Sequence, residues 1–128
     1  LYNDLIGKKF KYHGRGPDEY DCLGLAIEVL QRNGINMMDF QTYKGNFRSV
    51  AETITNAKLV ENCVKISKPE KLSIVTFKIV SDFVSHIGIV IDNYLSFIHI
   101  LEGTHVTIEK LHHPTWIRKI EGYYKWIH

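Results

Sequence analysis

Apolar residues recur along this chain with two different periods. Cys22, Leu25, Ala26, Val29 and Leu30 follow one another at i, i+3, i+4, i+7 and i+8, the stripe that lines one face of an amphipathic helix. Asp21 stands directly before it as a natural N-cap, and Gly34 after it as a natural C′ residue. The spacing predicts a helix over 22–33. A second helix is predicted over 50–61, where Ser49 and Glu52 make a capping-box pair and Val50, Ile54, Ala57 and Val60 keep helical spacing. From residue 64 the period shortens. Val64–Ile66, Leu72–Val80, His86–Ile91, Phe97–Leu101, Val106–Glu109 and Tyr123–Ile127 are short β-branched or aromatic runs. Pro69, Asp92-Asn93, Glu102-Gly103, His113-Pro114 and Gly122 separate them as turn residues, and Gly14-Arg15-Gly16-Pro17 reads as a loop before the first helix. Helices first and strands later predict an α+β domain with helices packed on a mostly antiparallel sheet.

The 128 residues suit one domain, 1–128, which buries roughly two-thirds of its unfolded surface without needing staples. Hydrophobic residues at 45% and charged residues at 23% are ordinary for a globular protein. A net charge of +2 gives no electrostatic case for nucleic acid or an anionic membrane. No apolar run approaches the ~20 residues that span a bilayer. The chain opens on Leu1, not Met, which leaves room for a removed signal peptide or an upstream domain.

The two cysteines, Cys22 and Cys63, differ in their surroundings. Cys22 falls in the first turn of its helix, where unpaired N–H groups and the helix dipole favour negative charge. A thiolate there is stabilised, to a pKa of roughly 3.5–7.5, which makes Cys22 a candidate nucleophile. Its place on the apolar face fits a core cysteine equally well. Cys63 lacks these features, and no disulfide between the two is expected.

A cysteine nucleophile needs a base that takes its proton and later hands one to the leaving amine. Of seven histidines, His86 and His99 stand inside strongly apolar strands. If Asp92-Asn93 forms a two-residue turn, Ile91 faces Tyr94 and His86 faces His99 on one face of the hairpin. A four-residue loop also keeps them on one face, offset by one pair. A three-residue loop separates them unless a bulge restores parity. Each histidine alone is ordinarily a hydrogen-bonded sheet residue. Correlated across a hairpin, downstream of a helix-start cysteine, they read as a base and its orienting partner.

Four separated segments, Tyr12-His13-Gly14, Tyr20-Asp21-Cys22-Leu23-Gly24-Leu25, Ser85-His86-Ile87-Gly88-Ile89-Val90-Ile91 and Phe97-Ile98-His99, resemble in order the NlpC-type cell-wall cysteine peptidases. The resemblance implies a papain-like fold and hydrolysis of peptidoglycan stem peptides between D-γ-glutamyl and a diamino acid. It implies a catalytic set of Cys22, His86 and His99, with Tyr12 near the oxyanion and Asp21 holding the substrate amine. It implies no cofactor and no metal, and a place in the extracytoplasmic cell wall. Many members have Ser where this chain has Leu23, and Gly-Asp where Glu70-Lys71 stand. Leu23, His99–Gly103 and Trp116-Ile117-Arg118 are most similar to versions carried in phage tails, which implies other tail proteins as partners and a virion location. Two alternatives come from other classes: a tail-tip or assembly module with weak or no hydrolysis, and an amidase or acyltransferase using the same triad.

Other constellations carry less. His112 and His113 are adjacent, so in a strand they point apart. Cys22, His86 and His99 have the ligand types for zinc but no zinc-binding spacing. Lys8, Lys9, Lys11 and Arg15 could meet an anionic wall polymer or simply be solvated. Trp116, Tyr123, Tyr124 and Trp126 could stack on sugar or pack the last strand.

Overall fold

The computed structural model describes residues 1–39, 62–79 and 84–127. The helix expected over 50–61 lies outside them. Strands β1 (Lys9–Phe10) and β2 (Glu19–Tyr20) pair in parallel ahead of helix α1 (Cys22–Arg32). Six further strands follow: β3 (Cys63–Ile66), β4 (Ile74–Phe77), β5 (His86–Val90), β6 (Ser96–His99), β7 (Thr107–Lys110) and β8 (Ile120–Trp126). They form one sheet in the order β3-β8-β4-β5-β6-β7, antiparallel throughout. Short helix α2 (Pro114–Ile117) sits between β7 and β8. The expected α+β class with a mostly antiparallel sheet is the observed one.

Helix α1 begins where its cap dictates. Asp21 Oδ1 accepts the Gly24 N–H at 2.7 Å, which satisfies one of the donors that a helix start leaves over. Leu23, Leu25, Ala26, Val29 and Leu30 then pack on Ile74, Ile87, Ile89 and Ile98 of the sheet. The opposite face carries Val75, Phe77, Val90 and Phe97 against Leu111 and Trp116. Alternation along each strand divides the two sets. Because both faces of β4, β5 and β6 are covered, these strands are buried at every position.

Several boundaries differ from the sequence expectation for local reasons. Pro114 opens α2 at its first turn, where a missing N–H costs nothing, so His113-Pro114 is a helix start and not a plain turn. Gly122 lies inside β8, where a β-carbon would meet Lys65 Cε at 2.8 Å. The β5–β6 connection spans Asp92 to Leu95: the Ile91 N–H donates to Ser96 O at 2.9 Å, and Val90 faces Phe97. The two-residue turn at Asp92-Asn93 is therefore not formed. Such turns want positive φ at their centre, usually from glycine. Here Asp92 Oδ1 instead accepts the N–H groups of Tyr94 and Ser96 at 2.9 and 3.1 Å and organises a wider loop. The loop has the even length that keeps His86 and His99 on one face, offset by one pair.

Candidate active site

Cys22 is placed by the loop that crosses the start of α1. The Gly14 carbonyl sits so close over Gly24 that a β-carbon there would overlap it. Asp21, 1% exposed, ties the two together. Its Oδ2 accepts the His13 N–H at 3.0 Å, and its Oδ1 accepts Arg15 Nη1 at 2.8 Å in addition to Gly24. Arg15 runs on to Asp39 at 2.9 Å. Lys8 lies 4.0 Å from Asp18 and Lys11 lies 3.9 Å from Glu19, so most of the basic cluster noted in the sequence is paired with carboxylates.

The helix start does not give Cys22 the low pKa that its position suggests. Burial, reinforced by the neighbouring Asp21 charge, pushes the thiol up to about 12. The nearby backbone N–H groups of Ile87 and Leu23 work the other way without reversing the shift. The dipole of one helix end is worth about 1 kcal/mol, too little to offset removal of a thiolate from water. Cys63, at the start of β3, is also raised by burial, to about 11. Both cysteines are free thiols.

His86 and His99 meet as the parity argument expects. His86 Nε2 lies 2.9 Å from His99 Nδ1, both rings buried. The offset register places Gly88 beside His99, where a β-carbon would come within 3.2 Å of His99 Cβ. Phe77, Phe97 and Trp116 enclose the pair, with the Trp116 ring edge-on to His99 at 4.8 Å. Burial, reinforced by His99, holds His86 well below the usual imidazole range. Burial lowers His99 too, and Glu109 opposes that only in part.

Glu109, on β7, was not singled out by the sequence. Its Oε2 lies 2.6 Å from His99 Nε2. Burial alone would raise this carboxyl, but the Trp116 indole N–H and His99 outweigh it and keep it below the usual range. The indole N–H contributes by nearness, since it makes no full hydrogen bond. In sequence Glu109 is one more acidic residue on a half-exposed edge strand. Only the register β6–β7, with His99 opposite Thr107, brings it under the ring.

Cys22 and His86 line one cavity of about 230 Å³ together with Phe10, Tyr12, Asp21 and Glu102, among others. Tyr12 donates its phenol proton to Glu102 at 2.5 Å. Burial, with Glu102 next, raises the Tyr12 pKa. Ser85, 4% exposed, also lines this cavity, and its Oγ has no hydrogen-bond partner. Trp116 is buried in the second core and packs instead of offering a sugar platform. Among the described residues, no group of three His, Cys, Asp or Glu side chains is arranged to hold a metal ion, and no helix is long and apolar enough to cross a membrane.

A helix-start cysteine set against a histidine strand of an antiparallel sheet is the architecture of a papain-like α+β domain. The family model described as NlpC/P60 matches residues 7–124, and the chain belongs to that family. Among solved structures it is similar to an NlpC/P60 family protein of Bacillus cereus, with TM-score 0.67 and 17% identity over 100% of this chain and 41% of the other. It is similar to a lipoprotein-like family member of Staphylococcus aureus, with TM-score 0.66 and 19% identity over 97% of this chain and 38% of the other. The NlpC/p60 domain of the peptidoglycan hydrolase SagA matches with TM-score 0.59 and 15% identity, over 96% of this chain and 91% of that domain. The chain thus spans about two-fifths of the first two proteins. No curated protein matches the sequence significantly.

Proposed function

We propose that this chain is a cysteine peptidase that hydrolyses the D-γ-glutamyl–diamino acid amide of peptidoglycan stem peptides. The observation that carries the reading is the buried 2.9 Å pairing of His86 with His99, with His86 opening on the cavity that holds Cys22. The family, and likeness to a domain whose protein is named a peptidoglycan hydrolase, support the substrate class.

In this reading Cys22 and His86 meet the substrate as neutral thiol and neutral imidazole. As Sγ bonds to the carbonyl carbon, its proton passes to His86 and the carbonyl oxygen takes the charge. The Cys22 N–H, in the first turn where backbone donors have no intrahelical acceptor, stabilises that oxyanion. Tyr12 can add a donor only by releasing Glu102. Collapse breaks the C–N bond, and His86 protonates the departing amine. His86 then takes a proton from water, whose oxygen attacks the thioester carbon, and returns it to the leaving sulfur. Asp21 lines the cavity with three donors on its carboxylate. A carboxylate has about four acceptor positions, so one is left for the substrate amine. The partnerless Ser85 Oγ offers a hydrogen bond to the bound peptide. No step requires a cofactor.

The test is product analysis by mass spectrometry on purified wall fragments. Release of a diamino-acid-terminated peptide supports the reading. Intact fragments with a chemically reactive Cys22 would reassign the chain to amidase or acyl-transfer chemistry on another acyl group. Intact fragments with an inert Cys22 would make it a binding module. Leu23 and the segments 99–103 and 116–118 are what support a phage-tail setting, with tail proteins as partners.

A further inference from the structure

We propose that Glu109 is a positioning residue that sets the direction of the hydrogen-bond chain from His99 to His86, holding both rings as Nε2–H tautomers so that His86 Nδ1 is the bare nitrogen. The inference rests on the peptidase reading only for what that nitrogen is used for.

The direction follows from the donor inventory. An ionised carboxylate accepts and cannot donate. Glu109 Oε2 lies 2.6 Å from His99 Nε2, slightly shorter than the usual charge-assisted N–H···O⁻ bond, so His99 Nε2 carries a proton. A neutral imidazole has one N–H, which makes His99 Nδ1 an acceptor. That atom lies 2.9 Å from His86 Nε2, so His86 Nε2 carries the second proton. His86 is neutral in its buried setting, and its Nδ1 is left as a lone pair. The opposite direction would set the His99 Nε2 lone pair against the carboxylate at 2.6 Å. It would also put a proton on His86 Nδ1, which could then accept none.

The same chain serves the charged state. When His86 Nδ1 takes the Cys22 proton, the new positive charge leans through two hydrogen bonds toward Glu109. Neither ring N–H moves. Glu109 is the carboxylate in hydrogen-bond contact with the pair, while Asp21 and Glu102 line the cavity that His86 shares with Cys22. His86 comes from β5, Glu109 from β7, and Trp116 from α2, while Phe77 and Phe97 carry no charge. His113, at the α2 N-cap, adds a weaker influence on Glu109.

The test is the imidazole ¹⁵N spectrum of labelled protein near neutral pH, which reports the proton on each ring nitrogen. Both Nε2 atoms protonated and both Nδ1 atoms bare is the expected result; a wild-type His99 carrying its proton on Nδ1 overturns the proposal. Glu109→Gln supplies the second arm, because an amide can donate as well as accept. His99 is expected to populate its Nδ1–H tautomer, and Cys22 alkylation to slow by at least about tenfold with a changed pH profile. The urea midpoint should fall only by the modest stabilisation that the ionised Glu109 supplies, leaving the variant folded. A Gln variant with unchanged tautomers and unchanged alkylation also overturns the proposal. None of these measurements uses a peptide substrate, so they stand whether or not wall fragments are cleaved.

Discussion

The carbonyl of Gly14 occupies the space that a β-carbon on Gly24 would need. This contact lets the 12–16 loop close on the first turn of α1, so that the His13 N–H and Arg15 reach Asp21. Gly24→Ala is therefore expected to push the loop off the helix start. The backbone cannot yield as a flexible side chain could, so the loss should be about 2 kcal/mol or more, against the small gain that Ala brings to a helix. Urea unfolding and the Cys22 alkylation rate should both worsen. A Gly24→Ala protein as stable and as reactive as wild type would show that the loop does not position the thiol.

Stability should fall as pH drops below about 6.5. His86 and His99 both have folded pKa values below that of the unfolded chain. Below about 6.5 the unfolded state binds more protons than the folded one, so acid favours unfolding, and the stabilisation is fully present only above that pH. Glu109, also lowered, adds a further loss below its ordinary range near 4.5. Urea midpoints measured from pH 7.5 to 5.5 should decline, and His99→Asn should flatten the decline. A midpoint constant across that window would mean that the rings are not buried as neutral species.

The parts of this site that the sequence disclosed are those governed by periodicity. The helix-start position of Cys22 follows from a cap and a 3.6-residue stripe. The shared face of His86 and His99 follows from the two-residue period of a strand, and it survives the error in loop length because four residues keep the parity of two. What escaped is set by other physics. The Cys22 pKa depends on burial and on Asp21, neither of which the helix dipole reveals. Glu109 depends on the register of β6 against β7, for which its own strand carries no signal. The need for glycine at position 24 depends on the Gly14 carbonyl that crosses it, a contact between loop and helix that helical periodicity does not encode.

Ser85 gives a test in which binding and stability separate. Its Oγ is buried without a partner, so removing it relieves the desolvation cost of an unsatisfied hydroxyl, ~1–3 kcal/mol. Ser85→Ala should keep or raise stability while raising KM for wall peptide. A lowered midpoint with unchanged KM would assign the hydroxyl a structural role instead.

Neither thiol is intrinsically acidic, so alkylation should expose the base. Cys22 is expected to react with iodoacetamide faster than Cys63 near neutral pH, because Cys22 lines a cavity with His86 and Cys63 does not line that cavity. In His86→Ala the advantage should vanish. An advantage that persists without His86 would return the credit to the helix terminus.

The last expectation concerns the division of labour between the two histidines. In the proposed mechanism His86 takes and returns protons at the reacting atoms, and His99, 2.9 Å away, orients it. Cys22→Ala and His86→Ala should each remove nearly all hydrolysis of wall fragments, since a thiol with a pKa near 12 needs a partner to accept its proton. His99→Asn should be milder, because a side-chain carbonyl can still accept the His86 Nε2–H and keep Nδ1 bare. His99→Ala should be worse than His99→Asn. It removes the acceptor and leaves a hole among Phe77, Phe97 and Trp116, so its stability should fall by roughly 1–3 kcal/mol as well. The ordering wild type, His99→Asn, His99→Ala, His86→Ala in kcat/KM on a single stem-peptide substrate, with folding checked by urea midpoint, is the measurement. A folded His99→Asn as inactive as His86→Ala would give His99 a direct part in proton transfer. A His86→Ala protein with wild-type turnover would remove His86 as the base.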